Sequence, residues 1–330
     1  MRTSLALLVA LFGCKHDAKP AAGPPTREAP TAAGSAAGTA ATPTLASARR
    51  GFATHIVSAG APAGRPDAPP RGVFELVRYA SPAGALAAYV TPDPRDGARH
   101  PAIVWITGGD CNSIGDVWTE APASNDQTAA AYRRAGVVMM VPSLRGGNDN
   151  PGRREGFYGE VDDVLAAADH LAALPYVDPA RVYLGGHSTG ATVAMLTAEM
   201  SGRFRAVLAF GPTDDPSGYG DQFTFYDPSR PRELALRSPG RWLDSVTSPL
   251  FVFEGVDEPS NIDSLRGMKA ASHNRMIHFV EVPGADHFSI LAPAGDVLAA
   301  KILRDTGPAS AITLTDADVA AITAHVASDE

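Results

Sequence analysis

The sequence has almost no cysteine. Two residues, Cys14 and Cys111, stand in 330, which excludes a disulfide-rich scaffold and a Cys-based zinc site. Basic charge is also short. There are 28 Lys and Arg against 36 Asp and Glu, a formal net charge of −8. That balance argues against nucleic acid as a partner, because affinity for it comes from neutralising phosphates with cations. Gly-x-Gly-x-x-Gly after a first strand is missing, as is Gly-x-x-x-x-Gly-Lys-Ser/Thr, so dinucleotide-binding and P-loop readings lose their signatures. No His-Glu-x-x-His cluster supports a metal, and none of these patterns calls for a cofactor. What is present is a foldable composition, 45% hydrophobic and 19% charged, long enough for one large domain that needs no covalent staples.

The N-terminal fifty residues read differently from the rest. Met1 and Arg2 precede an apolar run over residues 5–12. It is too short to span a bilayer and fits the apolar core of an export signal. The run ending Leu11-Phe12-Gly13-Cys14 resembles a bacterial lipoprotein signal. That resemblance implies lipidation of Cys14, export, and attachment to a membrane of the cell envelope by lipid alone. Residues 1–14 are thus expected to be signal, and 15–50 an Ala/Pro/Gly-rich disordered tether. From residue 18 onward that tether has Leu45 as its one large apolar side chain, too little to offset the entropy of ordering.

Residues 51–330 are expected to form a single α/β domain. Residues 73–79 and 85–90 suggest a hairpin around Ser81-Pro82-Ala83-Gly84. Short continuous apolar runs follow at 102–106, 137–141, 182–184, 206–210, 250–253 and 277–282. Such runs suit strands buried on both faces of a parallel sheet. Helical patterns separate them at 125–134, 160–174, 189–200 and 262–271, and Thr315 with Asp318 forms a capping box for a last helix. Alternating strands and helices give a mostly parallel sheet covered on both faces, with the hairpin antiparallel at one edge.

Gly186-His187-Ser188-Thr189-Gly190 ends one strand run and opens a helix. It matches the Gly-x-Ser-x-Gly nucleophile elbow, in which small flanking residues let strand and helix close on a strained turn. A serine hydroxyl needs a base. His287, in a Gly-containing loop after the last strand run, is the candidate; the other eight histidines lie in the tether, at the opposite sheet end, in the elbow, in a strand or on helices. The acid that orients it is sought after the 250–253 run, where Glu254, Asp257 and Glu258 occur. Asp257 is the first choice, Glu258 the next, with Asp214 and Asp215 as outsiders; Glu254 is expected still to lie on the strand. Oxyanion donors are expected from the backbone N–H groups of Thr189 and of Gly109, next to Asp110, in the loop Thr107-Gly108-Gly109-Asp110.

Together these positions resemble the α/β-hydrolase superfamily over most of residues 72–305. Pro142-Ser143-Leu144-Arg145-Gly146-Gly147, Gly156-Phe157-Tyr158-Gly159-Glu160-Val161-Asp162-Asp163, Val177-Asp178-Pro179-Ala180-Arg181-Val182 and Gly186-His187-Ser188 are similar to the catalytic domain of the prolyl oligopeptidase family. The resemblance implies hydrolysis of an ester or amide through an acyl-enzyme, without metal or cofactor, with Ser188 as nucleophile, His287 as base and Asp257 as acid. No β-propeller precedes the matching stretch, so size selection of peptides is not implied. A carboxylic ester is the expected substrate, ahead of a peptide cleaved by a propeller-less family peptidase; the rival of another class is an inactive hydrolase-fold binding protein of the envelope. Residues 211–248 separate two strands by a lid-like span whose Tyr219, Phe223, Phe225, Tyr226 and Trp242 are read either as pocket lining or as packing.

Overall fold

A computed structural model describes residues 43–60 and 64–328. Cys14 and the signal assigned to 1–14 lie outside the described residues, as does most of the tether. Eight strands run in chain order as β1 (Glu75–Ser81), β2 (Gly84–Val90), β3 (His100–Ile106), β4 (Val138–Pro142), β5 (Val177–His187), β6 (Val207–Phe210), β7 (Leu250–Gly255) and β8 (Ile277–Val282). The helices are α1 (Leu45–Arg49), α2 (Ala130–Arg134), α3 (Glu160–Ala172), α4 (Thr189–Met200), α5 (Pro231–Ala235), α6 (Ile262–Ala271), α7 (Leu291–Arg304) and α8 (Asp316–Ser328). Among the described residues no helix is long and apolar enough to cross a membrane.

The strands form one sheet in the order β1-β2-β4-β3-β5-β6-β7-β8. The β1/β2 and β2/β4 pairs are antiparallel and the other five pairs are parallel. The mostly parallel sheet with its leading hairpin is the expected fold class. The continuous apolar runs have a simple cause. Side chains alternate across a strand, so Ala102, Val104 and Ile106 of β3 enter one core layer while Ile103 and Trp105 enter the other. In β7, Leu250 and Val252 divide from Phe251 and Phe253 in the same way. With helices on both faces, the central strands carry apolar side chains on both sides of the sheet.

Parallel pairing also aligns strand ends. Gly186 stands opposite Ile106, and His187 opposite Phe210. The segments that leave β3, β5, β6, β7 and β8 therefore gather along one edge, where α/β folds place ligands. Helix α8 begins at the expected capping box: the Asp318 N–H donates to Thr315 Oγ1 at 3.3 Å, and the Asp318 carboxylate accepts the Thr315 N–H at 2.7 Å. The helix expected over 125–134 is shorter. A 3-10 turn covers Ala123–Asn125, and α2 begins only at Ala130. In between, the Asp126 carboxylate takes the Thr128 hydroxyl and N–H, and Ala129 adopts φ 51°. A short polar side chain that bonds its own backbone competes with helix in this way.

The expected tether boundary at residue 50 is corrected. Residues 43–60 form a strap on the folded body. Leu45 is fully buried, and its N–H donates to Ser245 Oγ at 3.0 Å. Buried Arg49 donates to the carbonyls of Tyr158, Phe157 and Leu236 at 2.8, 3.1 and 2.8 Å. Further along, Glu233 accepts the Thr54 hydroxyl at 2.8 Å and the His55 N–H at 2.6 Å, and the Phe225 carbonyl accepts the Val57 and Ser58 N–H groups at 2.8 and 3.2 Å. The low apolar content of this strap is offset by hydrogen bonds to partners far along the chain.

Most of those partners lie in 211–248, a span of short 3-10 turns around α5. Its centre is a wholly buried pair, Arg237 to Glu233 at 2.6 Å, with the guanidinium 4.1 Å over the Tyr226 ring. Phe225 and Tyr226 are buried by this packing, and Trp242 donates to the Ala235 carbonyl at 2.7 Å. Because Leu45 fills a core position, Leu45→Ala is expected to lower stability by about 2–5 kcal/mol. Urea unfolding measures this; an unchanged midpoint would place α1 outside the cooperative fold.

Candidate active site

Strand β5 ends at His187 and α4 starts at Thr189, so Ser188 makes the whole turn, with φ 54° and ψ −119°. A non-glycine residue there costs about 1–3 kcal/mol and persists only when its surroundings over-determine it. They do. The Ser188 N–H donates to the Phe210 carbonyl of β6 at 2.7 Å, and its own carbonyl accepts the Thr192 N–H of α4 at 3.0 Å. The flanking glycines are required by space. A Cβ on Gly186 would lie 2.6 Å from the Gly190 carbonyl oxygen, and one on Gly190 would strike the carbonyls of Ile106 and Thr107. Ser188 is thus half-buried at the head of α4, where unpaired N–H groups and the helix dipole favour negative charge.

His287 lies between β8 and α7. Its N–H donates to the Pro259 carbonyl at 2.8 Å, and its Nδ1 lies 3.2 Å from Glu254 Oε2. The ring rests over Gly211, which has φ +65°; a Cβ there would come within 2.5 Å of His287 Nδ1 and 2.8 Å of Glu254 Oε2. Gly211 directly follows Phe210, the residue that holds the Ser188 N–H. The end of β6 therefore brings Ser188, His287 and Glu254 to one place. Among the described residues, the Ser188 hydroxyl and His287 ring form no hydrogen bond with each other.

The carboxylate against the His287 ring is that of Glu254, not the expected Asp257. It is fully buried at the end of β7, and its carboxylate also accepts the Gly255 N–H at 2.9 Å and the Asn261 N–H at 3.2 Å. Asp257 is exposed; the turn after Gly255 carries it outward while its backbone N–H donates to the Ala285 carbonyl at 2.9 Å. Glu258 is exposed and accepts the Ser260 N–H at 3.0 Å. Asp214 accepts the Ser264 hydroxyl at 2.8 Å, and Asp215 accepts the Ser217 N–H at 2.8 Å and the Ser238 hydroxyl at 3.2 Å. The available signal was the glutamate itself. A carboxylate inside an apolar strand is tolerated only with hydrogen-bond partners waiting for it.

The loop after β3 lies beside the elbow. Gly109 has φ +68°, and its carbonyl accepts the Thr189 hydroxyl at 2.9 Å and the Cys111 N–H at 3.0 Å. The two residues expected to supply oxyanion donors are therefore neighbours. Asp110 is held by two hydrogen bonds from Arg154, at 2.6 and 2.8 Å. Cys111 is buried, and desolvation pushes its thiol up, away from thiolate chemistry.

His187, read from sequence only as a neighbour in the turn, has a defined place. Its Nε2 donates to the His287 carbonyl at 3.0 Å, and the two rings are 4.5 Å apart. Burial, then the nearby His287 ring, push its pKa down to about 3. Among the described residues no group of three His, Cys, Asp or Glu is placed to hold a metal ion.

Residues 123–236 match the prolyl oligopeptidase family. The solved puromycin-hydrolyzing peptidase of Mycobacterium tuberculosis superposes with a TM-score of 0.56 at 20% identity, over 70% of this chain and 40% of that one. The fold is that of the α/β-hydrolases. Two further solved structures give similar superpositions. The acylaminoacyl peptidase of Pyrococcus horikoshii has a TM-score of 0.56 at 14% identity, covering 75% of this chain and 44% of that one. The hyperthermophilic esterase of Pyrobaculum calidifontis has a TM-score of 0.51 at 19% identity, covering 71% of this chain and 86% of that one. In sequence, a dual function macrocyclase-peptidase of Galerina marginata is 33% identical over 88 residues, which is 24% of this chain and 12% of that protein. The chain thus spans less than half of the peptidases it matches and most of the esterase. Peptidases and esterases alike share this α/β-hydrolase fold.

His187 gives the fold a pH signature. An unfolded chain protonates this side chain near its ordinary value of 6.5, while the native state resists until about 3. Its contribution therefore destabilises the native state as pH falls from 6.5 toward 3. The non-titrating His187→Gln variant is expected to flatten that fall, seen by urea unfolding at pH 7 and 4.5. Equal slopes in both proteins would show that His187 accepts its proton without cost.

Proposed function

We propose that the protein is a serine hydrolase that cleaves a carboxylic ester, or an amide, through an acyl-enzyme. The observation that carries this reading is the buried Glu254 carboxylate on His287 Nδ1, set beside the strained Ser188 turn. With Glu254 accepting the Nδ1 proton, Nε2 carries the lone pair that a general base needs. Ser188 Oγ attacks the substrate carbonyl carbon and gives its proton to His287 Nε2. The carbonyl oxygen becomes an oxyanion facing the Gly109 and Thr189 N–H groups, while Glu254 stabilises the imidazolium. Collapse of the tetrahedral intermediate breaks the bond to the leaving alcohol or amine, which takes the proton from His287. Water, deprotonated by the same nitrogen, then releases the acid and regenerates Ser188.

A carboxylic ester is proposed ahead of a peptide as the first substrate class to test; the same constellation serves both, and the fold is shared with peptidases and an esterase alike. The lipid anchor at Cys14 and export to the cell envelope belong to the same proposal. Mass spectrometry of the mature N-terminus tests them, and an unmodified Met1 start would dismiss both.

A fluorophosphonate is expected to add once to the wild type and not to Ser188→Ala, as read by intact mass. Folded wild-type protein without an adduct would remove the hydrolase reading and leave a binding protein. Glu254→Gln is expected to cut kcat by about 10⁴, the size of the loss when a triad acid is made neutral. Asp257→Asn should stay within about threefold of wild type, as expected for an exposed side chain away from the site. The reverse order in ester turnover would return the acid role to Asp257.

A further inference from the structure

Resting on the hydrolase reading, we propose that Arg154 is a positioning residue that fixes the oxyanion loop through Asp110. Arg154 comes from the segment between β4 and α3, far in sequence from both the elbow and the strap. It is buried, and both ends of its guanidinium fork point toward the loop after β3, while Nε is held by its own segment. Nη1 and Nη2 donate to the two oxygens of Asp110 at 2.6 and 2.8 Å, Nη2 also approaches Ser113 Oγ at 3.3 Å, and Nε donates to the Gly146 carbonyl at 3.2 Å. Asp110 directly follows Gly109, whose carbonyl already takes the Thr189 hydroxyl. A two-point guanidinium–carboxylate contact fixes direction as well as distance. Here it sets the residue next to the proposed oxyanion donor.

The other side of Arg154 is packed by the strap and by the 211–248 span. Its guanidinium lies 5.8 Å from the centre of the Phe225 ring, in the 211–248 span. On the strap, a Cβ at Gly60 would come within 2.8 Å of Arg154 Cδ and 3.1 Å of Phe225 Cε1. The Phe225 carbonyl in turn holds the Val57 and Ser58 N–H groups. The strap and the 211–248 span therefore pack against the arginine, which presents its fork to Asp110. The pair also balances a carboxylate that would otherwise stand uncompensated beside the site of a developing negative charge.

The test measures turnover of an activated ester and the fluorophosphonate labelling rate in wild type, Arg154→Met, Asp110→Asn and the double variant, with melting temperatures alongside. Arg154→Met is expected to lose 10- to 100-fold in kcat and in labelling rate, with KM within twofold. Asp110→Asn, a change at an exposed side chain that leaves the fold intact, should lose at least fivefold in kcat. The double variant should be no worse than the poorer single one, because both substitutions break one contact. An Asp110→Asn enzyme with wild-type kcat, or single losses that multiply in the double variant, would overturn the proposal. So would a rise in KM confined to substrates with a free amino group at unchanged kcat, which would make Asp110 a substrate contact. Failure of wild type to label at Ser188 would instead remove the hydrolase reading on which the proposal rests.

Discussion

Helix α4 lies so close to β3 and β5 that one added methyl group at Gly190 would strike the carbonyls of Ile106 and Thr107. That approach forces the chain to reverse within a single residue, and Ser188 takes the strained conformation. The rest of the site is set out from this turn. Its N–H is tied to Phe210, the next residue, Gly211, makes room for the His287 ring, and the Thr189 hydroxyl holds Gly109 of the loop after β3. Strain of this kind survives because the two strands and the helix that impose it are buried on every side.

Glu254 illustrates the opposite economy, a charge placed where water cannot reach. A buried carboxylate is tolerated when donors replace its hydration. Two backbone N–H groups and the His287 ring supply them here. Two of these donors come from its own strand end and the loop that follows, and the third, the His287 ring, from a loop after the next strand. Counting residues beyond Gly255 led instead to Asp257. The spacing of a loop is visible in sequence, but the direction in which a chain leaves a strand is not. The glutamate's position inside Leu250-Phe251-Val252-Phe253-Glu254 was the physical clue.

Much of the fold was legible because its periodicity is local. Continuous apolar runs predicted strands buried on both faces, the Gly-x-Ser-x-Gly spacing placed the elbow, and Thr315 with Asp318 marked the start of α8. The losses have a common origin in distant or competing contacts. Asp126 bonds its own neighbourhood and shortens α2. Leu45 has little apolar company nearby in sequence, and its burial depends on residues near 245 that no local pattern can announce. The role of His187 was hidden likewise, since its partner is the main chain of a residue 100 positions away.

The strap's partners also order the events of folding. The Leu45 N–H meets Ser245 across 200 residues, and Thr54 meets Glu233 across 179. A chain that emerges N-terminus first, from a ribosome or through a pore, presents the strap long before its docking surface exists. Five strands of the sheet precede β6, and the span that receives the strap follows it. Closure of so long a loop is slow relative to local pairing. The strap is therefore expected to dock late, once the span that receives it has formed.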